Sequence, residues 1–430
     1  MRITRYLLIA AILAAAAKPA VATDGHFLHG VGAINSAMGG AGVAAPRSLL
    51  GAFYLNPAGL SAFRGTRMEF GFELFLPDRT VASSAGGASN STTSTSEFTP
   101  VPAMGLSMQV NDKVTVGLGA LGVGGFGVDY AASSPAATPP NPILMPEPNG
   151  FGAVYSNYSL LKITPAIAYQ VSERLSLGAA LNVDWAALAV RPAPFASPDG
   201  AYYPSAPNAD GAFGFGFQLG AILKVNEMVS VGASYSSPQW FNAFEWNSSV
   251  ANPLVNYGAP RTVTFRMDVP AVYAAGVALH PSPRLLVAAD GRYITYEQTE
   301  GFKGSGYAAD GSVRGFGWKN IFVGALGLDF QASDRLALRA GYNYSGNPVP
   351  NALSMFNVPA PAIVQHHVTL GAGIRVSPAL EMSLGYYHAF KNSGSGPIVL
   401  PTGAIPGSSV TNSLAENSFS MQFSVTPQRH

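Results

Sequence analysis

The chain has no cysteine among its 430 residues, so disulfides and thiolate chemistry are excluded, and cysteine usage says nothing about redox compartment. It is also poor in charge. Asp, Glu, Lys and Arg make up 11%, against roughly 25% in an ordinary soluble domain. Hydrophobic residues reach 48%, yet after residue 22 no uncharged apolar run attains the length of about 20 residues that a membrane-spanning helix needs. A helical membrane protein is therefore not expected. Nor is an enzyme: no G-x-S-x-G or H-E-x-x-H pattern occurs, and the seven histidines show no triad or metal spacing. His26 and His29, three apart, offer two ligands at most, and His388 falls on an outward-facing register. No cofactor and no metal are expected.

The chain opens with Arg2 and Arg5, then an apolar run from Tyr6 to Ala17, then Ala20-Val21-Ala22. A basic start, a short hydrophobic stretch and an A-x-A site have the form of a secretory signal peptide, assigned to residues 1–22. Its removal takes away Arg2, Arg5 and Lys18 and leaves 21 basic against 23 acidic residues, a net charge of about −2. Nothing in that balance suits nucleic acid.

Low charge, 48 glycines and no spanning helix leave one membrane architecture, the β-barrel, which bonds its backbone between strands and shows lipid no free edge. Residues 67–76 read as such a strand. Met68, Phe70, Phe72, Leu74 and Leu76 fall on one face, and Glu69, Gly71 and Glu73 on the other. The pattern recurs near 100–110, 113–122, 160–170, 174–185, 211–223, 228–236, 270–280, 284–294, 318–330, 335–345, 366–376, 380–391 and 415–425. That predicts fourteen strands of about ten residues, enough for a tilted crossing.

Links after even strands are very short, as at Asn111-Asp112, Ser172-Glu173 and Ser377-Pro378. Those after odd strands are long: 77–99, 123–159, 186–210, 237–269 and 392–414. Short turns on one side and long loops on the other mark a bacterial outer-membrane barrel with both chain ends in the periplasm. Trp185, Tyr235, Tyr293, Tyr342 and Tyr344 are placed at outer strand ends, and Tyr169, Phe330 and Phe423 near periplasmic ends, as two interfacial belts require. Lys162, Asp184, Asp290, Arg292, Asp329, Arg339, Arg375 and Glu381 take the inward register. An Arg or Lys facing lipid at the midplane costs roughly 2–4 kcal/mol. Most are expected to pair and hold the wall to its contents. Lys162, Arg292, Arg339 and Arg375 are the candidates to meet a substrate's carboxylate.

Fourteen strands enclose more than the eight that side chains fill and less than the 16–18 of an open porin. Residues 23–66 are about the right amount of chain to plug that lumen, with 67–430 forming the barrel. The stretch Phe27–Phe63 is rich in small residues and turns, does not alternate, and carries too much glycine for a stable helix. It resembles the N-terminal hatch of the FadL family, outer-membrane channels for long-chain fatty acids and other hydrophobic compounds. Ala37-Met38-Gly39-Gly40-Ala41-Gly42 precedes Asn56-Pro57-Ala58, which is followed by Gly59-Leu60. Trp318-Lys319-Asn320, Leu338-Arg339-Ala340-Gly341-Tyr342 and Pro348-Val349-Pro350-Asn351 look like the family's late strands and the loop after strand eleven.

The resemblance implies passive uptake: capture on outer loops three and four, entry into a lumen pocket, and sideways release through a gap at an inward kink in strand three. On that basis Phe195, Tyr202 and Tyr203 of loop three and Trp240, Phe241, Phe244 and Trp246 of loop four form an exposed capture surface. Gly122, Gly124, Gly125 and Gly127 let strand three kink. Asn56 and Pro57 set a rigid turn, expected beside that gap. The implied partners are a long-chain fatty acid or other hydrophobic small molecule, outer-membrane lipid and lipopolysaccharide, and the barrel assembly machinery, with the chain a monomer. One feature departs from the pattern. Such barrels end on an aromatic residue, whereas this chain runs past Phe423 and Val425 to Pro427-Gln428-Arg429-His430. Two rival readings remain: a channel for toluene- or xylene-like aromatics, and a general diffusion porin, which would carry a charged constriction and no plug.

Overall fold

In the computed structural model, which describes residues 24–427, fourteen antiparallel strands close into a barrel. They are β1 (Thr66–Ala85), β2 (Thr99–Gln109), β3 (Val114–Tyr130), β4 (Val154–Gln170), β5 (Leu175–Arg191), β6 (Ala206–Lys224) and β7 (Val229–Ser236). The second half comprises β8 (Val272–Ser282), β9 (Leu285–Ile294), β10 (Ile321–Gln331), β11 (Leu336–Ser345), β12 (His366–Ser377), β13 (Leu380–Gly396) and β14 (Ser409–Val425). β1 pairs with β14 from Met68↔Val425 to Ser84↔Ser409 and with β2 along its other edge, which closes the ring. Among the described residues no helix is long and apolar enough to cross a membrane; the strands cross it. The signal-peptide residues 1–22 and the last three residues lie outside the described range.

The period-2 pattern translates directly into two faces. Phe70, Phe72, Phe213, Phe215, Leu370 and Phe419 are exposed on the lipid side, and so are the belt residues Tyr169, Tyr293, Phe330, Tyr342 and Tyr344. Inward, Glu69, Glu73, Lys162, Asp184, Asp290, Arg292, Asp329 and Arg339 are buried. Several strands outrun the expected ten residues: β1 has 20, β6 has 19 and β14 has 17. The extra length lies at the outer ends. There the outer face meets water, so the greasy–polar alternation fades although the ladder continues, and loops read as 186–210 and 392–414 shorten to 192–205 and 397–408.

The plug fills the lumen. Its glycine content argued against helix, yet it holds two short helices, α1 (Ala33–Ala37) and α2 (Leu49–Leu55), and a 3-10 turn over Pro57–Ala62. Helices of five and seven residues do not stand alone in water; the wall holds them. Ser48 caps α2, its Oγ accepting from the Gly51 amide at 3.3 Å. Glu69 of β1 completes the cap, its Oε2 accepting from Ser48 Oγ (2.9 Å), the Leu49 amide (2.8 Å), the Leu50 amide (3.2 Å) and Gln422 Nε2 (2.9 Å). Phe53 of α2 lies against Gly105, Gly117 and Gly119, and a Cβ at Gly117 would come within 2.7 Å of its ring. Asp290 of β9 accepts from the Gly42 and Val43 amides at 2.6 and 2.9 Å. Asp329 of β10 binds Arg47 of the plug at 3.1 Å and Arg339 of β11 at 3.0 Å. Glu69, Asp290 and Asp329 thus anchor the plug to the wall.

Glu69→Ala leaves the Leu49 and Leu50 amides without an acceptor, a loss of about 2–4 kcal/mol for bonds to a charged group. Amide hydrogen exchange across α2 should rise at least about tenfold, with the heat-modifiable gel mobility of the barrel unchanged. Unaltered exchange would mean that α2 does not depend on this cap.

Candidate functional site

The ladder between β2 and β3 stops early. Their pairing runs from Gln109↔Thr115 to Ala103↔Leu121, after which β2 bonds only to β1 and β3 only to β4. Local sequence explains both sides. β2 begins Thr99-Pro100-Val101-Pro102, and neither proline has an N–H to offer a neighbouring strand. β3 shifts register against β4 between Gly122 and Gly124 and turns inward, so that Val123 to Val128 are all buried instead of alternating. The window is closed above, where the Thr95 amide donates to the Asp129 carbonyl at 2.9 Å.

The freed edge of β3 is taken up by the plug. The Leu28 amide donates to the Val123 carbonyl and the Gly125 amide donates to the His26 carbonyl, both at 2.9 Å. Gly124 is required for this approach, since a Cβ there would lie 2.1 Å from the His26 carbonyl oxygen. The same segment is fastened on its far side. Asp24 meets Arg292 at 2.9 Å, and Arg292 Nη2 also donates to the His29 carbonyl at 3.1 Å. Tyr296 Oη accepts from the His26 amide at 3.1 Å and lies 2.9 Å from His26 Nδ1. The His26 ring stacks on Phe302 at 5.1 Å and sits beside Trp318. Burial pushes its pKa down to about 3, so the imidazole is neutral and packs as an aromatic ring.

Two cavities lie in the lumen, and Phe27 of this segment lines one of them. The outer one, about 40 Å³, lies under the loops and is walled by Phe126, Leu188, Phe195, Phe265, Phe316 and Phe356. The inner one, also about 40 Å³, is more polar and is lined by Phe27, Tyr54, Lys162, Gln218, Val269 and Arg292 among others. An apolar cavity of about 150 Å³ is needed to take even benzene. Both are smaller than that, so room for a ligand requires the surrounding side chains or loops to give way. Lys162 forms no hydrogen bond or ion pair within the described residues; the opposite charge acting on it is its cross-strand partner Asp184.

Placement of the expected site residues is mixed. Gly122, Gly124, Gly125 and Gly127 lie in the kink, as read from sequence. Asn56-Pro57-Ala58 is displaced from the expected position beside the window. Asn56 Nδ2 donates to the carbonyls of Val43 (2.8 Å) and Ala221 (3.2 Å), its Oδ1 accepts from the Ala58 amide, and the turn packs chiefly on β4, β5 and β6. Asp24–Leu28 holds the window instead. The loop aromatics form no exposed surface. Phe241, Phe244 and Trp246 are buried, Phe195 is half-buried and stacks on Phe265 at 4.3 Å, and Tyr203 is buried with its hydroxyl donating to the Gly311 carbonyl. Tyr202 is half-buried in the same loop. Trp240 is exposed, but opposite Phe215 on the lipid-facing row. Of the four cations, Lys162 and Arg292 line the inner cavity. Arg339 is spent on Asp329 and Glu381, and Arg375 is exposed near the end of β12. Sequence reasoning missed Pro100 and Pro102, and also Tyr296, Phe302, Phe316 and Trp318 of the loop after β9. The doubled proline and the aromatic density of 296–318 were the available signals.

A closed antiparallel barrel with a plug in its lumen and a bonded side window has the architecture of an outer-membrane channel, and no catalytic constellation stands among the described residues. The sequence profile described as "Outer membrane protein transport protein (OMPP1/FadL/TodX)" matches residues 10–397, and the chain belongs to that family of transport proteins, which are not enzymes. The fold is similar to the Pseudomonas putida toluene transporter TodX (TM-score 0.70, 19% identity, covering 94% of this chain and 100% of that one). It is similar also to a Pseudomonas aeruginosa FadL homologue (TM-score 0.70, 16% identity, 93% and 99%). A third is the Ralstonia pickettii toluene transporter TbuX (TM-score 0.65, 18% identity, 92% and 98%). No curated protein matches the chain in sequence.

Gly124→Ala should push the Asp24–Leu28 segment off β3. Hydrogen exchange at the Leu28 and Gly125 amides should rise at least about tenfold while α2 keeps its protection. Retained protection at Leu28 would show that the approach to Gly124 is not what holds the segment.

Proposed function

We propose that this chain is a passive outer-membrane channel for long-chain fatty acids. The observation that carries the reading is Lys162, an ammonium without an ion pair in the wall of the inner cavity, beyond an outer cavity walled by aromatic and aliphatic side chains. The apolar cavity suits a hydrocarbon tail and the ammonium a carboxylate head, a charge-assisted contact of the stronger kind. The ligand passes below the loops, displaces Asp24–Leu28, and leaves through the window between Thr99–Pro102 and the inward bend of β3 into the lipid. Lateral release keeps an apolar molecule out of water throughout, which a water-filled porin cannot do. The aromatic lining of the outer cavity and the toluene transporters among similar folds favour a second reading, uptake of monoaromatic hydrocarbons.

The test is uptake of oleate and of toluene by a bacterial strain lacking its own fatty-acid channel and expressing this chain. Oleate uptake is expected, and Lys162→Met/Asp184→Asn, which removes the ammonium together with the neighbouring carboxylate charge, should lower it about tenfold or more. Toluene uptake without oleate uptake would establish the second reading. Stable small-ion conductance with uptake of neither would indicate a porin.

A further inference from the structure

The plug carries a carboxylate of its own to the wall of the inner cavity. Asp24 is completely buried and meets Arg292, itself buried, at 2.9 Å. The contact is an incomplete one. Arg292 Nε has no acceptor, and besides Arg292 only the Asn343 side chain acts as a donor toward the Asp24 carboxylate among the described residues. Burial pushes the Asp24 carboxyl up to about 6, against the opposing pull of Arg292 and Asn343. A buried anion held this loosely is costly to keep and readily exchanged for a better-fitting one.

Three placements give that exchange a consequence. Arg292 lines the inner cavity together with Lys162, so an arriving carboxylate meets a guanidinium already engaged by Asp24. Asp24 begins the segment whose Leu28 amide and His26 carbonyl complete the freed edge of β3. Between them, Phe27 is both a wall of the inner cavity and the bridge partner of Gly124. We propose that Asp24 is an internal stand-in for the substrate's head group: a ligand carboxylate takes Arg292 from it, and the loss of that contact releases Asp24–Leu28 from the window.

This rests on the fatty-acid reading above and adds the link between head-group binding and lateral opening. A ligand shifts a conformational equilibrium only by its differential affinity for the two states. An anionic lipid has such a difference here, because Arg292 is open to it only in the released state. A neutral lipid of the same length has none at this contact. The channel therefore binds both and opens for one.

The purified full-length chain in lipid nanodiscs, mixed with sodium oleate or with oleyl alcohol, provides the test. Hydrogen exchange at Leu28 and Gly125 is expected to rise at least tenfold with oleate and to stay within twofold with oleyl alcohol at matched occupancy. In Asp24→Asn the oleate Kd should tighten severalfold and exchange at Leu28 should be raised before any ligand is added, while the oleyl alcohol Kd stays unchanged. Equal opening by both lipids, or an oleate Kd unaffected by Asp24→Asn, overturns the exchange and leaves the fatty-acid reading standing. Binding of neither lipid by a folded barrel removes that reading, and the role of Asp24 falls with it.

Discussion

A backbone group in the bilayer core must be hydrogen-bonded to protein, because no water is there to bond it. Nearly everything in this molecule follows from that requirement. The ring of fourteen strands satisfies it around the wall, with β1 joining β14 to β2. At one place the wall cannot satisfy it alone. Two prolines on β2 and a glycine bulge on β3 part the strands, and the edge groups of Val123 and Gly125 find their partners in the plug. The window and the plug are therefore one device: the same two hydrogen bonds that seal the wall also hold the plug's first residues in place.

The lumen divides accordingly. On the side of β1 and β9–β11, buried acids anchor the plug by its own amides and by Arg47: Glu69 at α2, Asp290 at Gly42 and Val43, and Asp329 at Arg47. These contacts are short and well formed, and they hold the body of the plug. The residues Asp24–Leu28 are fastened differently, through two strand-like bonds, the Tyr296 hydroxyl at His26, the Tyr54 hydroxyl on the Leu28 carbonyl and the Asp24–Arg292 contact. This segment borders the inner cavity through Phe27 and the window through its bonds to Val123 and Gly125. In the opening proposed above, the part that moves is Asp24–Leu28, which touches α2 through the Tyr54 hydroxyl.

The loops serve the same end by packing instead of by exposure. Phe195, Phe265, Phe244 and Trp246 stack on one another, and Tyr296, Phe302 and Trp318 enclose His26. The outer cavity is walled by Phe195 and Phe265 of this set together with Phe126, Phe316 and Phe356, an apolar surface largely withdrawn from water. An exposed patch of the same area would expose the protein to self-association.

How much of this was legible in the sequence depends on the range of the interaction. A strand turns its side chains by half a revolution per residue, so parity alone told wall from lumen, and the fourteen strands and most inward charges could be read from neighbours a few residues apart, while the kink at Gly122–Gly127 was implied by the resemblance to the FadL family and suited by the glycine run. The plug's presence followed from the strand number, and its likeness to the FadL hatch from Asn56-Pro57-Ala58 and the small-residue run before it. What parity cannot give is height along the barrel or the identity of a partner hundreds of residues away. Arg292, Arg339 and Arg375 share one chemistry and one register, yet the first faces the inner cavity, the second is neutralised by Asp329 and Glu381, and the third is exposed. Asp24 and Arg292 lie 268 positions apart in the sequence and meet at 2.9 Å only because the plug threads back into a closed ring. Local periodicity determined the wall; which groups complete it was decided by the lumen into which the chain folds its plug.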